Sequence, residues 1–356
     1  MPDGSTTPLV SLDHEELVIR RGRRSGAYTV VAVHSTARGP ALGGCRMWRY
    51  ASSADGARDA LRLSRAMTLK AAVAGVPLGG GKGVICADPG RPPAGRRRRD
   101  MLFDFADTVN ALEGRYVTAE DVGTSAADMA LIAQRTSHVV GLPVKDGGSG
   151  DPSPHTARGV LAAIRACLAH RTGYARLEGR RVCLVGAGHV GTRLARLLAG
   201  SGAELTICDV DPSRRGLAKE LGAAWLEPEA AIEAECEVLC PCALGGTIDD
   251  TNVDRLHCAI VCGSANNILA DEDLAEALAA RDILYAPDFI ANAGGLISVY
   301  GELHRLPEPQ LRRLVAGIGE TVARILVSAE EASITPLAAA RELAEARLAG
   351  ARTIAA

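Results

Sequence analysis

Arg180-Arg181-Val182-Cys183-Leu184-Val185-Gly186-Ala187-Gly188-His189-Val190-Gly191 runs a short apolar strand signal directly into glycines spaced G-x-G-x-x-G. Thr192 to Ala199 continues as a helix, and Glu204 to Cys208 reads as a second strand that ends at Asp209. In that order, the amides and positive dipole of the helix N-terminus face a tight turn that an anion can approach. Gly186, Gly188, His189, Val190 and Gly191 would cradle a pyrophosphate. Asp209, 23 residues after Gly186, stands where adenosine-ribose hydroxyls would be met. A carboxylate there repels a 2′-phosphate, so the turn predicts NAD in preference to NADP. Arg214 and Arg215 temper that preference, although a helix start places them toward solvent.

Outward from this turn, strands and helices keep alternating, which predicts a parallel sheet covered on both faces. Beyond about residue 315 the chain is helical and alanine-rich, interrupted at Pro336. Upstream, Pro154 to His170 reads as a helix, and Lys145-Asp146-Gly147-Gly148-Ser149-Gly150-Asp151-Pro152 is the most turn-rich stretch before it. A chain of 356 residues with 47% apolar content calls for two cores. The expected fold is α/β in two domains. Residues 1–146 are expected to form an N-terminal α/β domain. Residues 147–329 form a Rossmann-type NAD-binding domain.

The first domain opens with a strand, Tyr28 to Val33, followed by turn signals at Gly39-Pro40 and Gly43-Gly44. Ser53 to Leu69 has helical spacing, with Lys70 at or just past its end. Pro77-Leu78-Gly79-Gly80-Gly81-Lys82-Gly83-Val84-Ile85 reads as a glycine-rich bend running into a strand. Arg96 to Arg99, beside Pro92-Pro93 and without aromatics, reads as a solvated loop rather than a nucleic-acid patch. A helix from Met101 to Leu112 and a strand from Arg115 to Ala119 lead to Glu120-Asp121-Val122-Gly123-Thr124.

A net charge of −2 with mixed signs gives no electrostatic reason to expect nucleic acid or a membrane surface. No apolar run approaches the roughly 20 residues of a membrane span. The opening MPDGSTTPLVSLDHEE is too acidic and polar for a secretion signal, so a cytoplasmic location and a small-molecule partner are expected. The ten cysteines are scattered through apolar segments and read as reduced core residues. Cys240-Pro241-Cys242 is the one close pair, read as strand-to-loop packing rather than a zinc site, and no metal is expected.

The chain holds four lysines against 36 arginines. Arginine stays protonated at any accessible pH, whereas a desolvated lysine can pass a proton near neutrality. Lys70 and Lys82 flank the glycine-rich segment, and two lysines close together would lower each other's pKa. One protonated lysine can hold a carboxylate, a second can act as acid and base, and Glu120-Asp121 offers a carboxylate to exchange protons with an amine.

Seven segments carry a resemblance. They are Gly39-Pro-Ala-Leu-Gly-Gly-Cys-Arg-Met47, Met67-Thr-Leu-Lys70, Leu78-Gly-Gly-Gly-Lys82, Thr118-Ala-Glu-Asp-Val-Gly-Thr124, Pro241-Cys-Ala-Leu-Gly-Gly246, Gly263-Ser-Ala-Asn-Asn267 and Tyr285-Ala-Pro-Asp-Phe-Ile-Ala-Asn-Ala-Gly-Gly295. In this order, from about residue 12 to about 345, the chain resembles the glutamate/leucine/phenylalanine/valine dehydrogenases. The resemblance implies NAD-dependent oxidative deamination of an L-amino acid, residues 1–146 as the substrate and catalytic domain completed by a C-terminal helix at about 330–356, a homo-oligomer, and a cleft between domains that closes during turnover. By position it assigns the substrate carboxylate to Lys70, the acid/base step to Lys82, and proton exchange with ammonia to Asp121. It places Leu42, Gly43, Gly44, Met67, Ala119, Val140, Leu296 and Val299 around the substrate. Asn266 falls between substrate and cofactor, Thr156 at the nicotinamide end, and Cys242 and Ala243 beside the dinucleotide.

Glutamate-specific members carry a lysine where this chain has Leu42, and a buried unpaired glutamate side chain would cost several kcal/mol. An apolar substrate is therefore expected. Ala119 resembles the leucine and valine enzymes, whereas Leu296 and Gly263-Ser264-Ala265 look more like some phenylalanine enzymes. Branched-chain substrates are favoured, with phenylalanine, or reductive amination of an unusual 2-oxo acid in a biosynthetic role, as alternatives. A catalytically silent NAD-binding regulator would have damaged chemistry residues, and here they are intact. Tyr300, in a segment that departs from the family pattern, is read as packing rather than as an edge of the pocket.

Overall fold

The computed structural model describes residues 12–88, 90 and 93–355. The opening eleven residues, part of the segment judged too polar for a secretion signal, and Pro92 beside the arginine run lie outside the described residues. The chain forms two compact units, Met1–Gly150 with Arg347–Ala356, and Asp151–Ala346.

The first unit contains β1 (Glu16–Arg21), β2 (Tyr28–Ser35), β3 (Ala41–Arg49), α1 (Ser53–Ala74), β4 (Gly79–Ala87), α2 (Gly95–Asn110), β5 (Tyr116–Glu120) and α3 (Ala126–Ala133). Its sheet has the order β1-β2-β4-β3-β5, with β4-β3-β5 parallel and β1 and β2 antiparallel. Strand side chains alternate between faces. Val31, Val33, Cys45, Met47 and Ile85 enter one core with Met101, Phe105 and Val109 of α2 and Met129 of α3. Val30, Ala32 and Val84 pack on Ala57, Ala60 and Leu61 of α1. By the same alternation, Leu42, Gly44 and Arg46 on β3, Gly80 and Lys82 on β4, and Ala119 on β5 belong to the α1 side of the sheet.

Three local expectations are corrected. The Gly43-Gly44 and Gly79–Gly83 segments are strand interiors, not bends. Their glycines provide clearance: a Cβ on Gly43 would stand 1.7 Å from the carbonyl oxygen of Gly81, and one on Gly80 would stand 2.1 Å from the amide nitrogen of Thr68. Next, α1 runs past Leu69 to Ala74 because Ala71, Ala72 and Val73 remain buried, and it stops at Gly75 in the left-handed region. Lys70 therefore sits inside the helix. Lastly, Arg96 to Arg99 form the first turn of α2 rather than a loop. Arg98 folds back to pair with Asp128 at 2.6 Å and to donate to the Gly123 carbonyl at 2.7 Å.

The second unit contains α4 (Ser153–Thr172), β6 (Arg181–Val185), α5 (His189–Ala199), β7 (Glu204–Cys208), α6 (Arg215–Leu221), β8 (Ala224–Leu226), α7 (Pro228–Ala231), β9 (Val238–Pro241), β10 (Ile260–Val261), α8 (Leu274–Ala280), β11 (Leu284–Tyr285), α9 (Asp288–Ala291), α10 (Gly294–Leu303), α11 (Glu308–Ala332) and most of α12 (Pro336–Ala355). Its six strands are all parallel, in the order β11-β10-β9-β6-β7-β8. This is the doubly wound sheet expected from the glycine turn outward. The segment returning to the first unit, Arg347–Ala356, is shorter than the 330–356 expected, since Leu337 of α12 joins the core of the second unit. Arg347 fastens it by donating to the carbonyls of Ala72 (3.0 Å) and Val73 (2.6 Å) at the end of α1. No helix among the described residues is long and apolar enough to cross a membrane.

The clearance reading separates two glycines. Gly43→Ala is expected to cost about 3 kcal/mol or more, because the obstructing atom is backbone in a packed sheet. Gly216→Ala, on α6 with nothing within 4 Å of the new carbon, is expected to be neutral or stabilising by up to about 1 kcal/mol. Urea unfolding of both variants measures this, and a Gly43→Ala protein as stable as its parent would contradict the packing.

Candidate active site

In the first unit, three parallel strands deliver their side chains to one place. Register sets Leu42 opposite Gly80 on β4 and Val117 on β5, and Gly44 opposite Ala119. Val140, buried, donates its amide to the Thr118 carbonyl at 2.9 Å and so flanks β5. Gly44 leaves room for Asp121, whose Cβ would lie 2.7 Å from a Cβ at that position. The close contact of Gly80 with Thr68 seats α1 over β4, which brings Met67 and Lys70, both half-buried, to the side of the sheet that holds Lys82.

Lys82 is 5% exposed, and its ammonium meets Oδ2 of Asp121 at 2.7 Å. Burial pulls the Lys82 pKa below the ordinary lysine value, Asp121 opposes that, and Arg46 adds to it. Arg46, which the sequence reading gave no role, is thus a cation acting on Lys82. Burial acts to raise the Asp121 pKa, but Lys82 and Arg46 outweigh it and hold the carboxyl below its usual range. The backbone of Asp121 is fixed by Thr124, whose hydroxyl accepts its amide at 2.9 Å and donates to the Cys45 carbonyl at 2.8 Å.

Arg46 was quoted within the Gly39–Met47 segment without a role. Its Nε donates to the same Oδ2 of Asp121 at 3.0 Å and its Nη1 to Asp59 at 3.0 Å. Tyr50 donates to Asp59 at 2.6 Å, and Arg62 pairs with its other oxygen at 2.9 Å. Strand alternation was the available signal, since Arg46 lies two residues from Gly44 and four from Leu42 on one face. This arrangement can move a proton at Lys82 while the charge on Asp121 stays paired. The other two lysines, Lys145 and Lys219, are exposed.

In the second unit, β6 ends at Val185 and Gly186 turns with φ 104°, so close to residue 243 that a Cβ would lie 2.7 Å from the Ala243 nitrogen. Gly191 passes the Gly186 carbonyl with only 1.9 Å to spare for a Cβ, which would also lie 3.5 Å from the Cβ of Cys242. Gly188, the N-cap of α5, brings no side-chain cap and has nothing within 4 Å of a Cβ position, and His189 beside it is exposed. Asp209 accepts the Ala187 amide at 2.6 Å and the Asp211 amide at 2.8 Å. An uncapped helix start behind an open glycine, with a carboxylate fixed at the end of the next strand, fits a dinucleotide.

Also in this unit, Asn266 is exposed, and its Oδ1 accepts from Asn292 at 2.9 Å. Thr156 on α4 lies against the start of α10, where its Oγ1 would be 3.0 Å from a Cβ on Gly295. Leu296 and Val299 follow on α10, buried and half-buried. Tyr300 packs on His304 one turn later, with ring centroids 4.4 Å apart. All ten cysteines are free thiols, and no described group of His, Cys, Asp or Glu is arranged to hold a metal ion.

Residues 16–138 match the model of the Glu/Leu/Phe/Val dehydrogenase dimerisation domain, and residues 213–353 match that of Glutamate/Leucine/Phenylalanine/Valine dehydrogenase. The chain is 40% identical to a leucine dehydrogenase of Thermoactinomyces intermedius, covering 94% of this chain and 91% of that one. It is 42% identical to a valine dehydrogenase of Streptomyces virginiae, covering 95% of each. Its fold matches an L-tryptophan dehydrogenase from Nostoc punctiforme with a TM-score of 0.85 and 35% identity, over 96% of this chain and 97% of that one. With two family models spanning most of its length and such relatives along nearly all of it, this chain belongs to the glutamate/leucine/phenylalanine/valine dehydrogenase family.

Proposed function

We propose that the protein catalyses the reversible, NAD-dependent oxidative deamination of a branched-chain L-amino acid to the 2-oxo acid and ammonia. The observation that carries this is the buried Lys82–Asp121 pair at 2.7 Å, on the same sheet face as apolar Leu42 and Ala119. The leucine and valine dehydrogenases at 40 and 42% identity support the choice of side chain. NAD in place of NADP is supported by the fixed Asp209, and by Arg214 and Arg215 being engaged with Asp211 and Glu227. A homo-oligomer is in keeping with a first-unit match described as a dimerisation domain.

In this reading the first unit binds substrate and the second binds cofactor. Bound nicotinamide supplies a hydride acceptor for the substrate Cα. Lys70 holds the substrate carboxylate as a fixed charge. Leu42, Met67, Ala119 and Val140 accept an apolar side chain, while Gly43 and Gly44 keep the strands close enough to shape the site. Asp121 takes a proton from the α-amine and later returns one to the departing ammonia. Lys82, neutral when deamination begins, takes a proton from the water that adds to the imine, gives it to the carbinolamine nitrogen, and takes the hydroxyl proton as the C–N bond breaks and the ketone forms, losing it afterwards to solvent. Asn266 and Thr156 position the reacting ends, and the turn at Gly186, Gly188, His189, Val190 and Gly191, with Cys242, Ala243 and Asp209, holds the dinucleotide.

Steady-state rates on a panel of apolar L-amino acids, glutamate and phenylalanine, with NAD and NADP in parallel, test the substrate assignment. Valine or leucine with NAD should lead, and a preference for phenylalanine or for NADP would overturn that part of it. Lys82→Ala and Lys82→Arg should each lose about 10²–10⁴-fold in kcat, because neither can cycle a proton near neutrality, whereas Lys70→Arg should chiefly raise KM for the amino acid.

The pH profile gives a signed test. Lys82 must be neutral to accept a proton, so the deamination rate should rise with pH through an apparent pKa below that of an ordinary lysine. Asp121 raises that pKa, so in Asp121→Asn the residual activity should show its rising limb at lower pH. A limb that stays put, or moves up, would show that Lys82 is not the titrating group. Gly188→Ala places a methyl in open space, so it should leave Tm nearly unchanged while weakening NAD binding at least tenfold. Unchanged binding would remove the pyrophosphate from that turn.

A further inference from the structure

Two thiols converge at the edge of the glycine turn. Cys240 is buried at the end of β9, Cys242 is half-buried just beyond it, and their sulfurs are 3.7 Å apart. Two residues of extended chain span about 6.6 Å, within the Cα separation that a disulfide bridges. Of the other thiols near Cys240, Cys262 hydrogen-bonds Cys167 and Cys183 donates to the Ala231 carbonyl at 3.7 Å. Cys242 is built into the turn: its amide donates to the Val185 carbonyl at 2.7 Å, and its Cβ adjoins Gly191 in the first turn of α5.

We propose that Cys240 and Cys242 are an oxidisable dithiol, and that hydroperoxides convert it to a disulfide which weakens dinucleotide binding. Cys242 is the attacking thiol, since it is the more exposed and stands beside a helix N-terminus that favours a thiolate. A hydrogen bond from Cys240, with others from Ser264, lowers its pKa despite burial, while that of Cys240 is raised. The Cys242 thiolate attacks the peroxide, the O–O bond breaks, the leaving oxygen takes the proton given up by the Cys242 thiol, and a sulfenic acid results with one water from hydrogen peroxide or one alcohol from an organic hydroperoxide. The Cys240 sulfur then attacks the Cys242 sulfur, the S–O bond breaks, the S–S bond forms and a water leaves. Two thiols lose two protons and two electrons, and the peroxide takes them.

Closing 3.7 Å to a bond of about 2.0 Å has to displace residue 242 and its neighbour. A Cβ at Gly186 would lie 2.7 Å from the Ala243 nitrogen, so the turn has little slack for such a shift. The effect on the cofactor rests on the dinucleotide reading above, whereas the disulfide itself does not.

The test uses the full-length reduced protein exposed to hydrogen peroxide, then alkylated and digested, with NAD binding followed by titration calorimetry. The peptide carrying Cys240 and Cys242 should be lighter by two hydrogens and resist alkylation. NAD binding should weaken at least tenfold and return with dithiothreitol. In Cys240→Ala this reversible loss should disappear while binding before oxidation is unchanged. Both thiols remaining alkylatable in the oxidised wild type, or a Cys240→Ala protein that loses and recovers binding as the wild type does, overturns the proposal. Reduced wild-type protein that binds no NAD counts against the dinucleotide reading, and the mass of the peptide still decides the dithiol.

Discussion

A lysine sealed into a β-sheet must either meet an anion or give up its proton, because an uncompensated charge in the interior costs several kcal/mol. Lys82 lies between those outcomes. Asp121 meets its ammonium, but the same carboxylate oxygen also serves Arg46, so the lysine does not own its counter-ion. Asp121 and Asp59 are shared among Lys82, Arg46 and Arg62, so each carboxylate keeps a guanidinium partner when Lys82 gives up its proton. Much of the first unit serves this balance. Strand pairing sets the depth of Lys82, Gly44 admits Asp121, and Thr124 fixes the backbone that carries it.

The sheet divides its labour by face. Side chains toward α2 and α3 are mostly apolar and form the larger core, with Thr29 satisfied by Thr108 of α2, and each fully buried aliphatic or aromatic residue there contributes about 1.5–3 kcal/mol. Those toward α1 include Leu42, Arg46, Lys82 and Ala119. A strand residue changes its role by a step of one position, which is why Cys45 is a core residue while Gly44 and Arg46 on either side of it border the charged cluster.

The glycine turn and the strand-helix-strand around it were legible because their geometry is local: glycines, helix start and acidic strand end lie within some two dozen residues. In the first unit, the identities of Lys70, Lys82 and Asp121 were legible but their setting was not. Gly43 and Gly80 read as turn residues because glycine is commonest there, yet their reason is the distant backbone of Gly81 and Thr68. Arg46 passed without a role because its partner Asp121 is 75 residues away in the chain. The helix carrying Lys70 outran its expected end because the burial of Ala71 to Val73 is a tertiary fact.

The scarcity of lysine has a practical side once burial is known. Amine-directed coupling, whether to a dye, a resin or a cross-linker, reaches accessible ammonium groups. Of the four lysines, Lys82 is enclosed and Lys70 half-covered, while Lys145 and Lys219 stand in solvent on separate units. A protein with 36 arginines and so few lysines would thus be tethered through a short, known set of points, with Lys82 out of reach of the reagent.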